Sequence, residues 1–350
     1  MKRLHLQRYL KLTIGAVFAI SACQSNPDKA SIEPAPTASV HQADCRTIQH
    51  QQGETEICGQ PQRIVVLGPF VLEPLLALGI QPIAYADHGD WHQGDYDNPS
   101  QQIPYLGQYV TTPILNAGSA IQPSIETLLQ LQPDLILGVD FNNAAQYEIL
   151  SQIAPTVLLR WDDAETNVRA IAQATGYPER ADALLGEIEQ QVKTATDELA
   201  SVVADFPNVL LLSSSQLQEI NVGNSAHGLC STLLADLGFN LVAPEGLKEN
   251  RPGATVPVSM EILSQVENVD LILLLGSELD EVPNFKNFHE RQVSGLKQAW
   301  QENLIAQSLD ASKAGRVYFI PAYLCLGLPG VIGTELYLQE LKGQLLQPQS

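Results

Sequence analysis

The feature that most constrains this 350-residue chain is a unit of sequence that occurs twice, about 135 residues apart. Residues from Ser124 read SIETLLQLQPDLILG, and residues from Ser259 read SMEILSQVENVDLILLLG. Each copy has a serine suited to a helix N-cap, a glutamate in the first turn, an apolar helix, and then a buried strand after an aspartate. We therefore expect two similar halves.

The segments that precede the two units also match each other. RIVVLGPFVLEPLLALGI predicts a strand, a loop and a helix that ends in Leu-Gly, and residues 208–239 repeat this order with a longer loop. Continuous apolar strands that alternate with helices are typical of parallel sheets covered on both faces. The sequence predicts an α/β fold of two Rossmann-like lobes with parallel sheets, and a ligand cleft between the lobes at the carboxyl ends of the strands.

A long uninterrupted segment, 178–204, separates the two halves. It opens with proline, has apolar residues at helical spacing and contains no further proline. At 1.5 Å per residue it predicts a helix of roughly 40 Å that joins the lobes as a stiff spine. The predicted organisation is a signal segment at 1–22, a tether at 23–44, a hairpin at 45–60, a first lobe at 61–176, the spine helix at 177–204 and a second lobe at 205–350.

The start of the chain predicts export. Residues 1–11 carry four basic residues and no acid, and residues 12–22 are mostly apolar but far short of the ~20 residues that span a bilayer. Ile20-Ser21-Ala22-Cys23 resembles the lipobox of bacterial lipoproteins, which are cut before the cysteine and acylated on it. The resemblance implies a protein anchored through a lipid on Cys23 at the extracytoplasmic face of a membrane, with residues 24–40, rich in Pro, Ala and Ser, as a disordered tether.

The charge of the chain excludes some partners. Its formal net charge is −20, and without residues 1–22 it has 15 basic residues (19 minus four) against 39 acidic ones, about −24. Such a surface repels nucleic acids and anionic lipid. We expect an exported domain that acts as a monomer and binds no nucleic acid.

Four cysteines follow Cys23, and export favours their pairing. The stretch CRTIQHQQGETEIC reads as a β-hairpin closed at its mouth by a Cys45–Cys58 disulfide. Cys230 and Cys325 remain for a second pair. Zinc is the alternative use of these cysteines, but the sequence has no closely spaced set of ligands.

The order and spacing of several motifs resemble the class III periplasmic substrate-binding proteins of iron-siderophore and cobalamin ABC transporters. The resemblance runs from about Pro61 to Leu345. It is carried by PQRIVVLGPFVLEPLLALGI, IPYLGQ, PSIETLLQLQPDLILG, the spine helix, VSMEILSQVENVDLILLLGS and KAGRVYFIP. The hairpin before them resembles that of iron-siderophore and iron-citrate members.

The resemblance implies a function without catalysis. A protein of this class captures a metal chelate between its lobes and delivers it to an ABC permease, with no cofactor and no hydrolysis. It implies a ferric-siderophore ligand of the hydroxamate or citrate type. An acid on the outer surface of each lobe pairs with permease arginines in this class, and the matching residues here are Glu73 and Asp236.

Residues near strand ends are the candidate ligand contacts. Bulky polar chelates with hydrocarbon edges need aromatic faces, a few cations and hydroxyl donors. The aromatic and imidazole candidates are Phe70, His88, Trp91, Tyr105, Phe141, Trp161 and Tyr323, the cations are Arg160 and Arg251, and the hydroxyls are Ser215 and Ser277.

Three alternatives differ in ligand or chemistry. The same fold binds heme or cobalamin in other members of the class. A zinc or manganese protein would use Asp87, His88, His92, His227 and His289, since such a site needs about three histidines and a carboxylate. A hydrolase is disfavoured, because the chain has no G-x-S-x-G elbow, no Walker A sequence and no G-x-G-x-x-G after a strand. We therefore expect no enzymatic activity.

Overall fold

The computed structural model describes residues 44–89, 92, 94–217, 219–223, 227–246, 256–277, 285 and 287–347. No helix in these ranges is both long enough and apolar enough to cross a bilayer. A hairpin, two α/β lobes and the helices that join them make up this part of the chain.

The hairpin, β1 (Cys45–His50) and β2 (Gly53–Cys58), is antiparallel and closed by the Cys45–Cys58 disulfide. The side chains of Ile48 and Ile57 are buried in the core of the first lobe. Arg46 donates hydrogen bonds from Nε to the Gln173 carbonyl at 2.5 Å and from Nη2 to the Ala174 carbonyl at 2.7 Å. These bonds fasten the hairpin to the first lobe.

The first lobe alternates strands and helices in the predicted way. Its elements are β3 (Ile64–Leu67), α1 (Pro69–Ala77), β4 (Ala84–Asp87), α2 (Pro99–Gln102), β5 (Leu115–Ser119), α3 (Ile125–Leu131), β6 (Leu135–Val139), α4 (Asp140–Asn143), α5 (Tyr147–Ile153), β7 (Thr156–Leu159) and α6 (Ala164–Thr175). The sheet order is β5-β4-β3-β6-β7 and all pairs are parallel. Buried apolar side chains form a core on each face of the sheet, as the continuous apolar strands require.

The second lobe follows the spine helix α7 (Pro178–Asp205). Its elements are β8 (Asn208–Ser214), β9 (Ile220–Val222), α8 (Leu229–Asp236), β10 (Asn240–Leu241), β11 (Val256–Val258), α9 (Met260–Leu263), β12 (Leu271–Gly276), α10 (Phe288–Glu302), α11 (Leu304–Ser308), α12 (Asp310–Lys313), β13 (Val317–Pro321) and α13 (Val331–Leu345). The sheet order is β11-β9-β8-β12-β13, and β10 also pairs with β8.

The second sheet departs from the parallel prediction at one strand. β9 runs antiparallel to both β8 and β11, whereas β8 is parallel to β10 and β12, and β12 is parallel to β13. The physical reason is the link between β8 and β9, residues 215–219, which is too short for the helical crossover that a parallel connection needs.

Two helices connect the lobes, where the sequence indicates one. The spine helix α7 buries Ala181 in the first-lobe core, and Ala195 and Leu199 in the second-lobe core. The C-terminal helix α13 does the same in the opposite direction, because Val331 and Ile332 join the first core while its later turns join the second. The lobes are therefore tied at two places.

Candidate functional site

The carboxyl ends of four neighbouring strands in the first lobe each lead to an aromatic or imidazole ring. In sheet order these rings are His88 after β4, Phe70 after β3, Phe141 after β6 and Trp161 after β7. We call these four residues the aromatic row. The Phe70 ring lies 5.8 Å from both the His88 and the Phe141 ring, edge-on to each. The structure thus gathers four predicted contacts on one edge of the sheet.

Phe141 is the exposed member of the aromatic row, with 55% of its surface accessible. Its helix α4 is held in place by the buried Asn143. The Asn143 side chain accepts a hydrogen bond from the Val139 amide at 3.0 Å and donates one to the Ala120 carbonyl at 2.7 Å. Phe141 is therefore exposed on a fixed element.

A buried acid lies beneath the His88 end of the row. Asp87 Oδ1 accepts hydrogen bonds from the Tyr85 hydroxyl at 2.8 Å and the His88 amide at 2.6 Å, and Oδ2 has no partner among the described residues. Burial raises the pKa of Asp87 to about 6, and burial lowers the pKa of His88. Both groups are thereby favoured in their neutral forms.

Arg160 lies at the other end of the row, and its charge is already paired. Its Nε and Nη2 donate to the two carboxylate oxygens of Asp162 at 3.0 and 2.9 Å. The pKa of Arg160 is raised chiefly by this bond and charge, with Asp163 and Asp140 adding to it. The expected anion anchor is thus a half-exposed ion pair in an acidic setting.

Trp161 touches the second lobe at Gly228, the residue before α8. A methyl group added at Gly228 would lie 3.2 Å from Trp161 Cζ3, and the φ of 46° at this position favours glycine. The ring of Trp161 is therefore packed between the lobes.

The strand ends of the second lobe are polar. Ser213 Oγ lies 2.8 Å from Nε2 of His227, whose ring is almost completely buried. Burial lowers the pKa of His227 to about 4, and its Nδ1 has no partner among the described residues. Ser215 is exposed, and the half-buried Ser277 donates its amide to the Ser214 carbonyl at 3.0 Å.

Tyr105 and Tyr323 join the lobes and leave little ring surface for a ligand. Their rings stack at 6.1 Å and 23°, and Tyr323 is 5% exposed. The Tyr105 hydroxyl lies 3.2 Å from His289 Nδ1 and accepts a hydrogen bond from Gln292 Nε2 at 3.3 Å. Tyr105 has a φ of 58°, which is unusual for a bulky residue. Tyr323, a predicted ligand contact, is therefore almost covered by its neighbours in this structure.

The prediction that Glu73 contacts a permease from the outer surface is wrong. Helix α1 lies between the first-lobe sheet and α13, so its residues are buried on nearly every side. The Glu73 carboxylate is fully buried, and it accepts hydrogen bonds from the amides of Gly330 at 2.9 Å and Gly333 at 2.8 Å. Burial outweighs these bonds and raises the pKa of Glu73 to about 7. Asp236, by contrast, is exposed at the end of α8.

The cysteines and histidines give no support to a zinc site within the described ranges. Both predicted disulfides are present, the second being the buried Cys230–Cys325 pair. The metal-compatible group found in these ranges is Cys45, Glu56 and Cys58, and its two sulfurs are bonded to each other. Three predicted residues, Cys23, Trp91 and Arg251, lie outside the described ranges.

The sequence did not predict Gln292, which contacts both Tyr105 and Tyr323 where the lobes meet. Gln292 is fully buried, and its side chain bonds to the Tyr105 hydroxyl and accepts from the Tyr323 amide at 3.0 Å. Its one signal is a glutamine among the apolar positions of the buried face of α10.

Comparisons with known proteins agree with this architecture. Residues 64–324 match the family described as "Periplasmic binding protein". The "probable siderophore-binding lipoprotein YfiY" of Bacillus subtilis is 29% identical over 95% of both chains, and the "Fe(3+) dicitrate-binding periplasmic protein FecB" of Escherichia coli is 25% identical over 85% of this chain and 89% of its own.

A solved structure has the same fold. Staphylococcus aureus SirA, complexed with staphyloferrin B, superposes with a TM-score of 0.65 at 23% identity and covers 86% of this chain and 98% of its own. The match to the family spans most of the two lobes and the spine. The chain therefore belongs to the periplasmic binding protein family, whose members bind a substrate and do not transform it.

Proposed function

We propose that this protein captures a ferric siderophore of the hydroxamate or citrate type between its lobes and delivers it to an ABC permease. The observation that carries the proposal is the aromatic row at the carboxyl ends of the first-lobe strands, where this fold binds ligands, with Trp161 against Gly228 of the second lobe. Relatives with siderophore and ferric citrate in their names, matched over most of the chain, support iron as the cargo.

Tryptophan fluorescence tests the ligand class. Trp161 belongs to the row, whereas Trp300 is buried in the second-lobe core, so a ligand in the cleft should quench part of the emission. We expect saturable quenching by a ferric hydroxamate or ferric citrate chelate at sub-micromolar concentration, with much weaker quenching by the iron-free chelate. Quenching by heme, cobalamin or zinc alone would contradict the proposal.

The docking acids need a new assignment, because Glu73 is buried. A permease that grips both lobes needs acids at equivalent places on each, and the repeated unit supplies them. Glu126 and Glu261 occupy the same position of the two copies, in the first turns of α3 and α9, and both are exposed. Ser124 caps α3, and a bond from Ser259 lowers the pKa of Glu261. We assign permease docking to this pair.

Charge reversal tests the docking pair. Glu126→Arg with Glu261→Arg should abolish iron uptake in cells while leaving the affinity for the ferric chelate unchanged. Asp236→Arg is the matched control. Asp236 is also exposed, but it lies on α8, outside the repeated unit that contains Glu126 and Glu261. Loss of uptake with Asp236→Arg and normal uptake with the double variant would return the assignment to Asp236.

Lipid attachment at Cys23 completes the proposal. The names of two relatives include the word lipoprotein, and Cys23 follows the lipobox-like residues Ile20-Ser21-Ala22. Metabolic labelling with a fatty acid should mark the wild-type chain, and Cys23→Ala should remove the label. A labelled Cys23→Ala chain would contradict this assignment.

A further inference from the structure

The first lobe has very few cations to offer an anionic ligand. Its residues 61–176 contain no lysine and three arginines, Arg63, Arg160 and Arg169. Arg63 bonds to the carbonyls of Leu131 and Gln132, next to the start of its own strand and away from the carboxyl edge. Arg169 pairs with Glu165 and Asp182 on the outer surface. Arg160 is the one remaining arginine.

Arg160 does not make the carboxyl edge positive. Its Nε and Nη2 are bonded to Asp162, and Asp140 and Asp163 lie near enough to raise its pKa further. One guanidinium among three carboxylates leaves this end of the edge negative. A carboxylate or catecholate group placed here would meet repulsion that the ion pair does not offset.

The same edge has an exposed apolar patch. Within the aromatic row, Phe141 is the exposed ring, and it packs edge-on against the buried ring of Phe70. Phe141 is 55% exposed although Asn143 holds its helix, and Ile121, in the adjoining loop, is 50% exposed. Large apolar side chains held open at a ligand-binding edge are typical of a surface that a ligand covers.

We propose that the first-lobe wall binds a hydrocarbon or aryl face of the siderophore, and that the protein selects chelates that carry such a face. This inference rests on the proposed function and narrows its substrate class. The iron-binding groups and any negative charge then face the second lobe, whose strand ends carry the exposed Ser215 and the half-buried Ser277. Of the two proposed ligand types, this favours a hydroxamate chelate with an apolar part over ferric citrate, which is compact and anionic and has no apolar face.

Chelates that differ only in their apolar part test the inference. The probes are a linear ferric trihydroxamate with its terminal amine acetylated, and the same neutral chelate with that amine benzoylated or dodecanoylated. For the chain as exported by a bacterial host, calorimetry should give at least tenfold tighter binding of the two apolar chelates than of the acetylated one. Ferric citrate should bind more weakly than all three.

Two matched variants locate the effect. Phe141→Ala should remove most of the tenfold preference, because it weakens binding of the benzoylated and dodecanoylated chelates far more than binding of the acetylated one. Leu129→Ala removes a side chain of the same lobe that is equally exposed, at 58%, but lies on α3 away from the row, and should keep the preference. Equal affinities of the wild-type chain for the three hydroxamates, or a preference that survives Phe141→Ala, would overturn the inference. Absence of binding by every ferric chelate would instead overturn the proposed function.

Discussion

The two lobes are built from the same repeated unit, yet they bury opposite kinds of titratable group. Among the described residues, the first lobe buries two acids, Glu73 and Asp87, and burial raises the pKa of each, to about 7 and about 6. The second lobe buries a base, His227, and burial lowers its pKa to about 4. In both lobes burial favours the neutral form.

The edges of the two sheets differ in the same way. The strands of the first lobe lead to the aromatic row, whereas β8 and β12 of the second lobe lead to Ser215 and Ser277. A repeated scaffold therefore carries chemically different side chains at the strand ends of its two lobes. A cleft between such strand ends suits a ligand with one apolar and one polar side.

The largest effect on the pH dependence of stability is expected when Glu73 and Asp87 are both replaced by their amides. Each acid has a raised pKa in the folded chain, so the folding free energy weakens as the pH rises from about 4 to about 7, by about 3 kcal/mol per acid and about 6 kcal/mol for both. Glu73→Gln with Asp87→Asn should remove this loss. Urea denaturation at pH 4.5, 5.5, 6.5 and 7.5 measures it.

Glu126→Gln is the control for the acid pair, because Glu126 is exposed. Its pH profile should match that of the wild type. A double variant with the wild-type profile would show that the two acids are already ionised in the folded protein near pH 5.

His227 should make the folding stability change with pH in the opposite direction to Glu73 and Asp87. Its pKa falls from 6.5 in the unfolded chain to about 4 in the folded one, so stability is lost as the pH falls from about 6.5 to about 4, by about 3 kcal/mol. His227→Gln should remove this loss and leave the stability rising more steeply on acidification. The same denaturation series tests it, and His289→Gln, a half-exposed histidine, is the control. An unchanged slope would contradict a neutral buried His227.

A smaller effect is expected where the lobes meet. Tyr105→Phe keeps the stacked ring and removes the hydroxyl that bonds Gln292, so it should cost about 1 kcal/mol of unfolding free energy. Tyr147 lies on the outer side of the first lobe, and its hydroxyl is 3.4 Å from the Thr55 hydroxyl. Tyr147→Phe should therefore cost less unfolding free energy than Tyr105→Phe. Equal costs would mean that the contact between Tyr105 and Gln292 adds nothing to the junction.

The smallest effect is expected at Arg160. The side chain is half-exposed and paired with Asp162, so Arg160→Ala should change the unfolding free energy by about 0–1 kcal/mol. Its affinity for an anionic ferric chelate should change less than about twofold. A loss of more than tenfold would restore Arg160 as the anion anchor, and would make the two walls of the cleft more alike than the structure indicates.

Beyond the family resemblance, which rests on the order and spacing of several motifs, the sequence alone determined the two-lobed α/β plan and the spine helix. These follow from short-range patterns: continuous apolar runs predict covered parallel strands, an uninterrupted helical period predicts the spine, and the repeated unit predicts two halves. The residues after strands were also predictable as candidate contacts, because parallel strands end at one edge of their sheet. His88, Phe70, Phe141 and Trp161 do lie together there.

Tertiary packing decided what each of those residues faces. Glu73 reads as a surface acid on an amphipathic helix until Gly330 and the first turn of α13, more than 250 residues later, cover it and donate two amides. Arg160 reads as a free cation until Asp162 closes on it, and Tyr323 as an open ring until Tyr105 stacks on it. Burial and pairing are set by groups distant in sequence or by side-chain geometry, and local patterns contain neither.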